Sequence, residues 1–127
     1  MSELLSLLNS HEVNFLIVDA HALAFHGGPR FTEDIDFFVE RSHQNIARLA
    51  LALQEFGVIV PESACHEMVS KDRGAIFIGH KPNRADFLNF LDGVEFTAAA
   101  QSKLPGILAD QPVNFISLKD YVSTKRA

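Results

Sequence analysis

A chain of 127 residues, 47% of them apolar, is long enough to close one hydrophobic core without covalent staples, and its one cysteine, Cys65, excludes an intrachain disulfide and fits a reducing compartment. A formal net charge of −5 argues against broad nonspecific DNA binding, although it leaves room for a local basic patch. The N-terminal stretch "MSELLSLLNSHEVNFLIVDAHALAF" has an acid and polar breaks where a secretion signal needs a basic start and an unbroken apolar run. No segment approaches membrane-spanning length, so the expectation is a soluble, cytoplasmic protein, one domain over residues 1–127, with no membrane partner.

In chain order, the leucines at 4, 5, 7 and 8 predict an amphipathic helix opened by Ser2 as its cap. "NFLIV" is too short and too uniformly apolar for a surface helix and reads as a buried strand over Phe15 to Val18. "HALAF" reads as a short helix stopped by Gly27-Gly28-Pro29, and "DIDFFV" as the next strand. In "HQNIARLALALQEFG", Ile46, Leu49, Leu53 and Phe56 line one helical face and Gly57 stands as the C-terminal stop. Further strands are expected near "VIV", "GAIFIG", "ADFLNFL" and "VNFIS", with a close strand pair around Lys81-Pro82-Asn83. A helix or turn is expected at "FTAAAQSK" and a closing helix at "LKDYVSTKR". This alternation predicts an α/β or α+β class, a mixed β-sheet flanked by helices.

The polar feature that stands out is Asp34-Ile35-Asp36 in an apolar run. Side chains alternate along a strand, so Asp34 and Asp36 project from one face while Ile35, Phe37 and Val39 enter the core from the other. Neighbouring carboxylates repel unless a cation lies between them, and Mg²⁺ takes one or two carboxylates together with substrate phosphates and water. A strand with a solvated polar face is the commoner explanation of an isolated Asp-x-Asp. Around this pair, however, a strand, a short helix, a Gly-Gly-Pro break and the acid-bearing strand form one compact unit. Its helix N-terminus suits a phosphate, and Arg30 and Thr32 precede the acids, placed to reach a phosphate or orient a carboxylate.

The stretch "LIVDAHALAFHGGPRFTEDIDFFV", with "AxAxHGxxRxTxDID" from Ala22 through Asp36, resembles the DNA polymerase beta-like nucleotidyltransferase superfamily. Within it, the likeness is to small bacterial members related to abortive-infection nucleotidyltransferase toxins. It is strongest over Phe15 to Glu40 and looser over "RADFLNFLDGVEF" and "VNFISLKDYVSTKRA"; relatives commonly continue with another helical segment beyond the position of Ala127. The resemblance implies a nucleotidyltransferase-like fold in which Asp34 and Asp36 hold Mg²⁺ and Asp86 is the third carboxylate. A strand-end acid in water is the other reading of Asp86. The implied reaction is attack by an acceptor hydroxyl on the α-phosphate of a nucleoside triphosphate, with ATP as the expected nucleotide, releasing pyrophosphate by a two-metal scheme. Lys125, rather than Lys119, matches the family's closing lysine.

One position departs from the pattern. Asp19 stands where the family has the first glycine of its phosphate-cradling turn, and Ala20 follows it. Glycine lets the backbone approach a triphosphate, whereas aspartate makes a helix N-cap and would repel a phosphate. The metal acids are therefore kept while the phosphate turn is altered. Two functions follow: a Mg²⁺-dependent enzyme transferring a nucleotidyl group to a hydroxyl on RNA, protein or a small molecule, or a catalytically silent domain of the same fold that binds a protein partner, as in a toxin–antitoxin pair. A metal-dependent phosphohydrolase on another fold gives no role to the glycine-proline turn.

Other polar groups are less specific. His21 and His26 are five apart, which does not align them on a helix for zinc. Cys65 and His66, as sequence neighbours on a strand, would point apart, so the cysteine reads as buried or incidental. Lys71, Arg73, Lys81 and Arg84 suggest either a basic rim for phosphate or nucleic acid, or solvated charges on a hairpin.

Overall fold

The computed structural model describes residues 2–18, 35–80 and 83–126. Over these the chain runs α1 (Ser2–Ser10), β1 (Phe15–Val18), β2 (Ile35–Val39), α2 (His43–Phe56), α3 (Glu62–Ser70), β3 (Ala75–His80), β4 (Asn83–Leu88), α4 (Phe96–Gln101), β5 (Leu104–Leu108), β6 (Gln111–Phe115) and α5 (Leu118–Arg126). The strands form one mixed sheet in the order β3-β4-β2-β1-β6-β5, the α+β arrangement that the sequence predicts. Pairs β2/β4 and β1/β6 are parallel, and β1/β2, β3/β4 and β5/β6 are antiparallel.

Alternation along the central strands sorts the residues onto two faces. Phe15 and Ile17 of β1 pair with Val39 and Phe37 of β2, and Ile35 and Phe37 pair in turn with Ala85 and Phe87 of β4. All are buried, and with Leu4, Leu5, Leu8, Ile46, Leu49, Leu53 and Met68 from α1, α2 and α3 they form one core. Phe37 is its hub, stacked on Phe87 at 4.6 Å and edge-on to Phe15 at 5.5 Å. The opposite face carries Leu16, Val18, Asp36, Phe38 and Asp86. There Phe96 of α4 meets Phe38 edge-on at 5.2 Å.

Helix α2 ends at Gly57 as its sequence predicts, and it opens on a Ser42 cap that the sequence reading did not name. The Ser42 hydroxyl accepts the Asn45 N–H, and Gly57 takes a left-handed φ of 106° that lets the Val58 N–H reach the Leu53 carbonyl at 2.8 Å. Buried Asn45 does a second job. Its amide oxygen accepts the Asn14 N–H at 2.7 Å, and its nitrogen donates to the carbonyls of Asn14 and Glu40. The residue before β1 is thereby tied to the residue after β2, which fixes the register of the two central strands.

Asn89, just past β4, is the other buried polar hub. It accepts the Gly74 N–H at 2.7 Å and donates to the carbonyls of Met68 and Lys71 at 3.0 and 2.8 Å, so α3 and the start of β3 hang from one amide. We expect Asn89→Ala to cost about 2–3 kcal/mol, because it strands a buried N–H and two carbonyls. Urea unfolding measures this; a loss below about 0.5 kcal/mol would show that water replaces the amide.

Several elements differ from expectation. Ser2 is the first residue of α1 rather than a cap outside it. "VIV" is no strand: it leaves the Gly57 turn unpaired, and Ile59 is 82% exposed. Residues Glu62–Ser70 form a helix and Leu104–Leu108 a strand, neither of them anticipated. "ADFLNFL" pairs only as far as Leu88. The expected "HALAF" helix and the Gly27-Gly28-Pro29 stop lie outside the described residues. Among the described residues no helix is long and apolar enough to cross a membrane.

Candidate functional site

Because Ile35 and Phe37 are committed to the core, Asp36 must project from the other face of β2. The sheet register then builds a row across four strands: Val18, Asp36, Asp86 and Phe77. Asp36 and Asp86 are direct partners in the parallel β2/β4 pair, so they stand side by side on adjacent strands, whose backbones run about 4.8 Å apart. Two bare carboxylates so placed would repel.

Arg84 relieves this. It lies on β4 two residues before Asp86 and therefore on the same face. Its Nε donates to Asp86 Oδ1 at 2.7 Å and its Nη2 to Oδ2 at 2.9 Å, a bidentate grip. The Asp86 side chain is only 14% exposed, against 31% for Arg84. The guanidinium also sits 5.1 Å from the centroid of the exposed Phe77 ring. Asp86 is thus a sequestered, paired acid and not a strand-end carboxylate in water.

Helix α5 borders the row at Asp36. The Ser117 hydroxyl caps the helix by accepting the Asp120 N–H at 3.1 Å, and the Ser117 carbonyl accepts the Tyr121 N–H. Tyr121, Thr124 and Lys125 follow at helical spacing on one side. With Val18, Asp36, Leu91 and Ile116 they line a small cavity of about 120 Å³. Lys125 Nζ lies 5.3 Å from the Tyr121 ring centroid. A lysine and an aspartate thus share one cavity wall, a pairing suited to holding an anion and a cation together.

Of the residues singled out in the sequence, Asp36, Asp86 and Lys125 are gathered at this face. Asp34, Asp19, Ala20, Arg30 and Thr32 lie outside the described residues. Sequence reasoning passed over Arg84 as a partner of Asp86, although their spacing of two on a strand signals it. It also passed over Tyr121 and Thr124; Tyr121 stands three residues before Thr124 and four before Lys125, the spacing of one helical face. Among the described residues no three histidine, cysteine or acidic side chains are grouped to hold a metal ion.

The remaining described candidates lie away from this cavity. Cys65 and His66 sit on α3 and not on a strand; burial, with Glu62 adding to it, pushes the Cys65 thiol above its ordinary pKa, which is the wrong direction for a nucleophile. The basic rim is divided among acids. Lys71 pairs with Glu67 at 3.5 Å, and Arg73 pairs with Asp92 at 2.6 Å while lying over the Phe90 ring. The Arg73 guanidinium holds the Asp92 carboxyl below its usual range. Lys81, His21 and His26 are outside the described residues. No protein-family model, curated protein or solved structure matches the chain.

Proposed function

We propose that this protein is a nucleotidyltransferase-like domain that binds a nucleoside triphosphate, with ATP as the first candidate, together with Mg²⁺ at the Asp36 face of the sheet. The observation that carries the reading is the register of Asp36 against Asp86, with Lys125 on the wall of the Asp36 cavity. Asp34, Asp36 and Asp86 would hold the ion. Their chemistry fits it, since all offer hard oxygen donors. The Arg84 fork takes two of the four or so lone-pair positions of Asp86, leaving acceptor capacity for a cation. When bound, Mg²⁺ would neutralise phosphate charge and lower the pKa of an acceptor hydroxyl. Lys125 would supply a positive charge to the triphosphate, and Arg30 and Thr32 would orient it. The acceptor hydroxyl belongs to RNA, a protein or a small molecule.

A second reading is favoured by the bidentate Arg84–Asp86 pair, which neutralises the third carboxylate without any metal. Together with Asp19 in place of a glycine, it suits a catalytically silent domain of this fold that acts by binding a protein partner. Calorimetric titration with ATP and MgCl₂ separates the two. The enzyme reading expects saturable binding at about 1 μM to 1 mM, the range in which enzymes hold their substrates. Absence of binding by ATP, GTP, CTP and UTP alike would leave the partner-binding reading.

A further inference from the structure

A second cavity, of about 460 Å³, lies on the same sheet face as Asp36 but at the other end of β1, and among the described residues none lines both. Its volume is that of a small-molecule pocket, about 300–1,000 Å³. Leu16, Phe96 of α4 and Pro105 of β5 give it apolar walls, and its polar residues are Glu40, Lys103, Asn9, Asn14 and Asn114. Three of these have bonding capacity to spare. Asn114 stands between Val113 and Phe115, both buried in the core, so its half-buried amide projects from the other face, where it has no hydrogen-bond partner among the described residues. Half-buried Glu40, just past β2, accepts the Asn14 amide at 3.2 Å and the Ser42 hydroxyl at 3.4 Å on one oxygen; both donors are neutral and distant, and no cation pairs with it among the described residues. Lys103, between α4 and β5, has no acidic partner among the described residues.

One anion and one cation thus line a single cavity without pairing with each other. A ligand of one charge would satisfy one of them and face the like charge of the other, whereas a ligand carrying both charges satisfies both. We propose that this cavity binds a zwitterionic small molecule, a free α-amino acid with an apolar side chain. Glu40 takes the ammonium, together with the oxygen of the Asn14 amide, whose nitrogen already donates to Glu40. Lys103 and the Asn114 amide nitrogen take the carboxylate. Because both charges of an α-amino acid sit at one end, its side chain is left to the walls of Leu16, Phe96 and Pro105. This site is separate from the nucleotide site proposed above and does not depend on it.

The probes are L-leucine and L-phenylalanine, each compared with its methyl ester, which lacks the anion, and its desamino acid, which lacks the cation. They are titrated into the isotope-labelled full chain and followed by proton–nitrogen NMR, which reports weak binding and shows the Asn114 side-chain amide directly. At least one amino acid should bind with a Kd of about 1 mM, the scale for a ligand of so few atoms, and shift the Asn114 amide. Its ester and its desamino acid should each bind about tenfold more weakly, the scale of one charge-assisted hydrogen bond. Glu40→Gln and Lys103→Gln should each weaken the amino acid about tenfold, the first erasing its advantage over the desamino acid and the second its advantage over the ester. Lys103 is exposed, so Lys103→Gln decides the matter if Glu40→Gln does not fold. Absence of binding by both amino acids, shifts that leave Asn114 untouched, equal binding of the single-charge analogues, or unchanged affinity in the folded variants overturns the proposal.

Discussion

Asp36→Asn is expected to weaken Mg²⁺-dependent ATP binding by about a hundredfold while leaving the protein folded, with a melting temperature within about 3 °C of wild type. The binding loss follows from position. Asp36 is the one described carboxylate that both pairs in register with Asp86 and lines the cavity shared with Lys125. Asparagine keeps the shape and one acceptor oxygen but lacks the charge that a divalent ion needs. The small stability effect follows from the setting: the residue is only half-buried, on the face away from the Phe37 core, and asparagine keeps its shape. Calorimetry with ATP and MgCl₂ together with thermal unfolding checks both halves. Wild-type affinity in the variant would remove Asp36 from the site; collapse of the fold would make it a structural acid instead.

Where local chemistry decides the structure, the sequence reading holds. Helix α2 is specified by a four-residue apolar stripe and Gly57, and each of these acts within one or two turns of itself. The same is true of β1 and β2, whose alternation or uniform apolarity leaves a single burial pattern. The failures lie where tertiary contacts override local preference. "VIV" has strand composition, but after the left-handed turn at Gly57 it pairs with no described strand, and Val58 and Val60 pack against the core instead. "ESACHEMVS" has weak helical signals and a proline cap without a side-chain hydrogen bond; what anchors α3 is burial of Met68 and the Asn89 grip on its last carbonyls. "LPGIL" carries two strand breakers, yet β5 is an edge strand that pairs only with β6, where a proline is tolerated.

The candidate site divides along the same line. The face on which Asp36 stands was legible, because alternation and the apolar neighbours fix it. That Asp86 stands beside it was not fixed by local signals, since the β2/β4 pairing is parallel and joins segments separated by α2, α3 and β3. Arg84 was misjudged as a solvated rim charge for a different reason. Its partner is two residues away on its own strand, and a pair that close is easily assigned to solvent when the burial of the acid is unknown.

Phe37→Ala is expected to be the most destabilising single change, costing about 3–5 kcal/mol of a total that for a domain of this size is about 5–15 kcal/mol. Phe37 sits one residue from Asp36 and faces the other way. It is fully buried, stacked on Phe87 and edge-on to Phe15, so truncation removes two ring contacts as well as apolar burial. The cavity left behind would be hard to refill. Its walls include Ile35, Val39 and Phe87 on strands held in register from both sides, and the Asn45 amide fixes the ends of β1 and β2. Urea unfolding should therefore show a large fall in midpoint with an unchanged slope, the mark of a cavity and not of a changed denatured state. A loss under about 1 kcal/mol would mean that the sheet closes around the gap. The contrast with Asp36→Asn is the sharper test, because adjacent residues on one strand should affect disjoint properties: stability through the core face and ligand binding through the other. If Phe37→Ala, assayed well below its unfolding midpoint, keeps wild-type ATP affinity while Asp36→Asn keeps wild-type stability, the two faces of β2 act independently. Loss of both properties in either variant would mean that the acid row is held in place by the core beneath it.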